Sequence, residues 1–192
     1  MEKLTGLNKL KTAIFISGTG SNFKNLIKFS KLKKTPISIN LVISDTNKAK
    51  GLKYANQIDI KKKIFNFKNI KYTENKILFL LKKENINLIC LAGFMKILSK
   101  NFIKKFDGRI INIHPSLLPK YKGLNTHRRA ITNKDKFAGC TVHYVTEKID
   151  AGKIIMQKKV KIASKDNELS LARKVLKQEH RLYPAAIMKI FN

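Results

Sequence analysis

Cysteine is scarce, and no residue type that marks an unusual architecture takes its place. The 192-residue chain has two cysteines, four prolines, nine glycines and no tryptophan. Cys90 and Cys140 each lie inside an apolar, strand-like run, at no spacing that would ligate a metal or staple a small scaffold. That pattern fits two buried free thiols and excludes a disulfide framework. Long apolar runs are missing too, so no segment reaches the roughly 20 residues that a membrane-spanning helix needs. Met1 to Lys11 is short and mixed, without the apolar stretch and small-residue cleavage site of an export signal. A cytoplasmic protein with no membrane partner is expected.

Acidic side chains are the other shortage, 12 against 41 lysines and arginines, for a formal charge of +29. Such an excess points towards nucleic acid, but its distribution argues otherwise. Lysine supplies nearly all of it, scattered along the whole chain beside Ile and Asn. Specific nucleic-acid readers cluster arginine with aromatic residues, and only Arg128-Arg129 form a pair here. The expectation is a positive field that attracts anionic small molecules, with no specific nucleic-acid site. A hydrophobic content of 43% over this length suits a single domain, 1–192, with a sizeable core.

What is present is an alternation of short apolar runs and amphipathic stretches. Strands are predicted at 11–17, 37–44, 64–67, 86–92, 109–114, 139–146 and 154–162. Helices are predicted from Phe23 to Leu32 and at 48–57, 75–84, 101–106, 126–131 and 167–191, the last kinked or broken at Pro184. The alternation predicts an α/β fold with a mostly parallel central sheet and helices on both faces. No internal repeat, low-complexity tail or second domain is evident.

Chemistry concentrates where the apolar strand Arg109-Ile110-Ile111-Asn112-Ile113-His114 runs into Pro115. Proline cannot donate a ladder hydrogen bond, so the strand ends near His114, and Asn112 and His114 point to one side of its C-terminal end. Open α/β sheets bind ligands there. An amide donor beside an imidazole suits a reaction that builds charge on a carbonyl oxygen, although the same pair also serves simply to cap a strand. Gly18-Thr19-Gly20-Ser21-Asn22 joins a strand to a helix, as phosphate-binding turns do, but lacks the third glycine of the dinucleotide fingerprint and the Lys-Ser/Thr of a P-loop. A plain tight turn fits it equally well. Gly93-Phe94-Met95-Lys96-Ile97-Leu98 is too apolar for a solvated loop and is either buried by the fold or walls a flat aromatic ligand. Asp150-Ala151-Gly152 is, by itself, a turn. His127 is expected on an exposed helix, His143 beside Thr141 on a strand face supporting the site, and His180 partly buried on a helix. No histidine has partners at zinc spacing.

Taken in order, Gly18 to Asn22, Ala92 to Ser99, Asn112 to Pro119, Asp150 to Gly152, and Lys177-Gln178-Glu179-His180 before Tyr183-Pro184 resemble the phosphoribosylglycinamide formyltransferase family over about residues 11–190. The resemblance implies a Rossmann-like formyltransferase fold. It also implies transfer of a formyl group from 10-formyltetrahydrofolate, a consumed cosubstrate, to the amine of glycinamide ribonucleotide in purine synthesis, without a metal. By matching position it implies Asn112, His114 and Asp150 as the catalytic trio, with Asp150 holding His114 charged. Gly20, Ser21 and Asn22 would hold the phosphate and Glu179 would face the glycinamide end. Met95, Lys96, Ile97 and Leu98 would line the pterin pocket together with Thr146, Glu147, Lys148 and Ile149. Lys96 stands where the family usually has arginine, and lysine lacks its bidentate fork; Asn125 stands where histidine is common. Lys68 and Lys71 are candidates for a further basic folate contact. Methionyl-tRNA formyltransferase shares the central motif, but its pattern continues into a C-terminal nucleic-acid-binding barrel, and formyltetrahydrofolate hydrolase adds an N-terminal regulatory domain; neither segment is expected here. The intact trio argues against a basic binding module without catalysis. The state of assembly, monomer or homodimer, stays open.

Overall fold

The computed structural model describes residues 9–191; residues 1–8, part of the segment read above for an export signal, lie outside the described residues, as does Asn192. The elements in chain order are β1 (Leu10–Ile16), α1 (Ser21–Ser30), β2 (Ile37–Ser44), α2 (Leu52–Asn56), β3 (Lys61–Ile64), α3 (Ile70–Lys83), β4 (Leu88–Leu91), α4 (Lys100–Lys105), β5 (Arg109–His114), α5 (Thr126–Thr132), β6 (Phe137–Tyr144), β7 (Ile154–Lys161) and α6 (Glu168–Phe191). The strands form one sheet in the order β3-β2-β1-β4-β5-β6-β7. β1 to β5 pair in parallel, while β6 runs antiparallel to both β5 and β7.

Alternation along the strands feeds two cores. Ala13 and Phe15 of β1 join Ile77 and Leu81 of α3 and Phe102 of α4 on one face, whereas Ile14 and Ile16 join Phe23 of α1 and Val175 and Tyr183 of α6 on the other. The α/β class, the mostly parallel sheet and the helices on both faces are as expected. The strand order reverses between β1 and β4, which places a crevice at their C-terminal ends. Cys90 and Cys140 are buried and free. No helix of the described residues is long and apolar enough to cross a membrane.

Several boundaries differ from those the sequence predicts. β3 lies at Lys61–Ile64 rather than 64–67, because pairing with β2 (Leu41 with Lys61, Ser44 with Ile64) makes the strand where no apolar alternation marks one. The helix expected at 48–57 is reduced to Leu52–Asn56, since the turn before it is spent on a bond from the Gly51 N–H to the Gly18 carbonyl, 3.0 Å. α3 starts five residues early, at Ile70, where the Asn69 side chain accepts the Tyr72 N–H and supplies the cap. Pro184 does not break α6. Proline has no N–H for the carbonyl four residues back, that of His180, and the Asn25 amide of α1 donates to that carbonyl instead.

Candidate active site

The register of β5 against β6 builds the centre. Asn112 lies opposite His143, and His114 opposite Thr141. Ile111 and Ile113 point into the α1/α6 core, so Asn112 and His114 face the other way together, as the two-residue spacing predicts. Asp150 arrives from the β6–β7 connection in a left-handed conformation, φ 46°, which aspartate tolerates better than most residues. Gly152 lets this connection fold back onto β6; a Cβ there would stand 1.7 Å from the Tyr144 carbonyl oxygen. Asp150 Oδ2 lies 3.3 Å from His114 Nδ1 and accepts the Gly123 N–H at 2.9 Å, while Oδ1 lies 3.5 Å from His143 Nε2.

Burial decides the charge states. His114 is only 5% exposed, and its Nε2–H donates to the Tyr121 carbonyl at 2.9 Å. Burial pushes its pKa below the ordinary 6.5, and the upward pull of the Tyr121 carbonyl and of Asp150 does not outweigh it. The aspartate thus acts in the expected sense, against a larger effect of burial. Burial also pushes the Asp150 carboxyl up, yet the Gly123 N–H that it accepts is among the contacts that bring it below the ordinary 3.8, so it is ionised.

Asn112, His114, His143 and Asp150 line a cavity of about 600 Å³, a size suited to a small organic ligand. Met95, Lys96, Ile97 and Leu98 line it facing Thr146, Glu147, Lys148 and Ile149, and a 2.8 Å ion pair from Lys100 to Glu147 ties the two walls. Of this apolar loop Leu98 is buried in the core and Phe94 packs against it, while Met95 and Ile97, 65% and 64% exposed, are presented to the cavity. Lys96 sits 3.9 Å from Asp45. Lys96 and Lys148 are lining residues, whereas Lys68 and Lys71 are not.

Asn22 and Glu179 also line the cavity, joined by a 2.6 Å bond from Asn22 Nδ2 to Glu179 Oε2 across 157 residues of sequence. Burial raises the Glu179 pKa, and Asn22 opposes it. Gly20 and Ser21 do not line the cavity. Gly20, at φ 73°, packs against Gly51, whose Cα would be 2.5 Å from an added Cβ; Ser21 begins α1. The open side of this turn is at Gly18, where an added Cβ would meet nothing within 4 Å. Ser17 Oγ accepts the Met95 N–H at 2.8 Å, which ties the turn to the apolar loop. His127, expected on an exposed helix, is partly buried and lines the cavity, and burial lowers its pKa. Its exposed neighbours Arg128 and Arg129 hide it from a reading of local sequence. His180 is partly buried on α6, as expected.

Comparison with known proteins follows the same lines. The formyl transferase family model matches residues 10–187. The chain is 42% identical over 180 residues to a phosphoribosylglycinamide formyltransferase of Haemophilus influenzae, covering 92% of this chain and 85% of that protein. It is 39% identical over 185 residues to the human trifunctional purine biosynthetic protein adenosine-3, covering 95% of this chain but only 18% of that much longer protein. The crystal structure of a phosphoribosylglycinamide formyltransferase from Brucella melitensis superposes with a TM-score of 0.90 at 44% identity, over 95% of this chain and 96% of that one. With a matching fold, and matches that run along nearly the whole chain, the protein belongs to the formyl transferase family, among its phosphoribosylglycinamide formyltransferases.

Proposed function

We propose that this chain transfers the formyl group of 10-formyltetrahydrofolate to the amine of N1-(5-phosphoribosyl)glycinamide, giving the formylglycinamide ribonucleotide of de novo purine biosynthesis. It acts in the cytoplasm on small-molecule substrates, as one domain that needs no metal. The observation that carries this reading is the meeting of Asn112, His114 and Asp150 in one cavity that also holds the apolar Met95–Leu98 wall and the polar Asn22–Glu179 pair. The first wall suits a flat pterin. The second, beside the Gly18–Asn22 turn, suits a phosphorylated sugar in a strongly positive field.

The chemistry follows from the residue types. The substrate amine attacks the formyl carbon, and the carbonyl electrons move onto oxygen. Asn112 donates an N–H to that oxyanion. Burial lowers the His114 pKa in the free protein, and its protonated form is favoured by the oxyanion together with Asp150. The attacking nitrogen then loses a proton. The oxyanion's electrons then fold back to re-form the carbonyl as the bond from carbon to the folate nitrogen breaks; its electron pair stays on nitrogen, and that nitrogen takes up a proton. Asp150, ionised and next to both imidazoles, is the local acceptor through which this proton passes.

The test is an optical assay of folate release with purified protein, 10-formyl folate and either glycinamide ribonucleotide or initiator tRNA. Turnover with the nucleotide alone is expected. Turnover only with the tRNA, or tight tRNA binding that survives physiological salt, would overturn the reading, because attraction by scattered lysines falls steeply as salt rises.

A further inference from the structure

His143 has no part in the catalytic trio, yet it lies between two of its members. Its side chain is 3% exposed. Its Nδ1 is 2.9 Å from the carbonyl oxygen of Tyr144, its own chain neighbour. A carbonyl only accepts, so Nδ1 carries the proton. Nε2 faces the Asn112 amide nitrogen at 3.2 Å and, farther off, Asp150 Oδ1 at 3.5 Å. A neutral imidazole protonated on Nδ1 has only a lone pair at Nε2, and of these two neighbours the amide alone can donate to it. An ionised carboxylate cannot.

We propose that His143, as the neutral Nδ1–H tautomer, fixes the orientation of the Asn112 amide: Nε2 accepts one N–H and thereby holds the amide nitrogen, with its second N–H, where the reacting oxygen is stabilised. The alternative rotamer would turn the amide oxygen towards Nε2, setting lone pair against lone pair, and would withdraw the donor. The strand register makes this contact, since Asn112 and His143 are directly paired across β5 and β6, so the two side chains share a face at close range. His143 is a positioning residue for Asn112, and its role rests on the proposed use of Asn112 as an oxyanion donor. Thr141, the other polar residue on that face of β6, does different work: its hydroxyl donates to the Ser116 carbonyl and accepts from the Leu118 N–H, holding the loop after β5.

The tautomer is read directly from the ¹⁵N shifts of the His143 ring in the intact protein at neutral pH, before any substitution is made. Protonated Nδ1 with unprotonated Nε2 is expected; the Nε2–H tautomer or an imidazolium would overturn the proposal, since either would donate to Asp150 and could not accept from Asn112. Kinetics give a second readout. His143→Leu fills much of the volume without an acceptor and should lower kcat by about tenfold or more while moving both KM values less than about twofold. His143→Gln restores an acceptor near the Nε2 position and should recover much of the loss. Equal damage from both substitutions, or native turnover in His143→Leu, would count against positioning. Asn112→Ala separates the two layers of argument: if it leaves kcat intact, the oxyanion role itself fails. If it cripples kcat and adding His143→Leu multiplies the damage in full, the oxyanion role stands and positioning through Asn112 falls.

Discussion

At one end of the cavity Asn112, His114, His143 and Asp150 hold one another within 3.5 Å; at the other, Met95 and Ile97 stand about two-thirds exposed. The first region sits on two paired strands and one loop pinned by the Gly123 N–H, so its geometry is set before any ligand arrives. The second is loop against loop, bridged by a solvent-exposed ion pair of small energetic value. On the proposed function, chemistry is preorganised where charge would develop, and apolar surface is left open where a flat ring system would cover it. The contrast predicts that damage at the inner end appears in kcat, and damage at the outer end in KM.

The largest effect is expected at Asp150. Asp150→Asn keeps the size but removes the charge and the proton acceptor, and should lower turnover by at least about a hundredfold with much smaller changes in substrate affinity. Because Asp150 now pulls the His114 pKa upward against burial, an NMR titration should find it lower still in this variant. Near-native turnover or an unmoved titration would show that the inner cluster does not work as a unit.

Next comes the Gly18–Asn22 turn proposed to hold the phosphate. Gly18→Val places a side chain in the open face of the turn, where nothing now lies within 4 Å, and should weaken nucleotide binding by about 2 kcal/mol, roughly thirtyfold, by displacing charge-assisted bonds. Folate KM should stay near native. Gly20→Val is the poorer probe, because its contact with Gly51 would damage the turn itself. Equal loss for both substrates in Gly18→Val would mean that the phosphate lies elsewhere.

A smaller change is expected at the outer wall. Ile97→Ser removes apolar surface that a pterin would bury, and should raise folate KM by about fivefold, near 1 kcal/mol, with kcat unchanged. A fall in kcat instead would erase the distinction between the two ends.

The smallest effect concerns stability. Burial holds His114, His127 and His180 below their ordinary 6.5, so the unfolded chain takes up protons that the folded one resists. Stability from these groups is full above about pH 6.5 and is lost as pH falls towards the folded values. The melting temperature should therefore drop on acidification from pH 7 through this window, and His180→Gln, away from the cavity, should lessen the drop. A melting temperature that is flat across the window would contradict the burial argument.

How much of this was legible in the sequence depends on what specified each part. β5 could be read to the residue, because Ile110, Ile111 and Ile113 mark a strand and Pro115 ends it, and the shared side of Asn112 and His114 follows from the two-residue period. The apolar Met95–Leu98 wall was legible as an anomaly of composition. β3 was not legible, since an edge strand of three lysines and an isoleucine is defined by its partner β2 rather than by its own pattern. The contact between Asn112 and His143 was hidden for a related reason: it depends on an antiparallel register that no local signal sets, although His143 was recognisable as a supporting residue. The lowered pKa of His114 was also out of reach, because a neighbouring carboxylate can be inferred from sequence, but the depth of burial that opposes it cannot.

The bond from Asn25 to the His180 carbonyl carries a lesson about inheritance. Pro184 strips that carbonyl of its helical partner, and Asn25, from a helix at the other end of the chain, supplies a substitute. If Asn25 is lost alone, the carbonyl is orphaned; if Pro184 is replaced, the restored N–H satisfies that carbonyl, whose second lone pair still accepts the Asn25 amide. Loss of Asn25 is therefore costly while Pro184 is present and nearly neutral once a residue with an N–H stands at 184. The dependence should therefore run one way: a screen of single substitutions would score Asn25 as intolerant, and the same screen in a background without Pro184 would not.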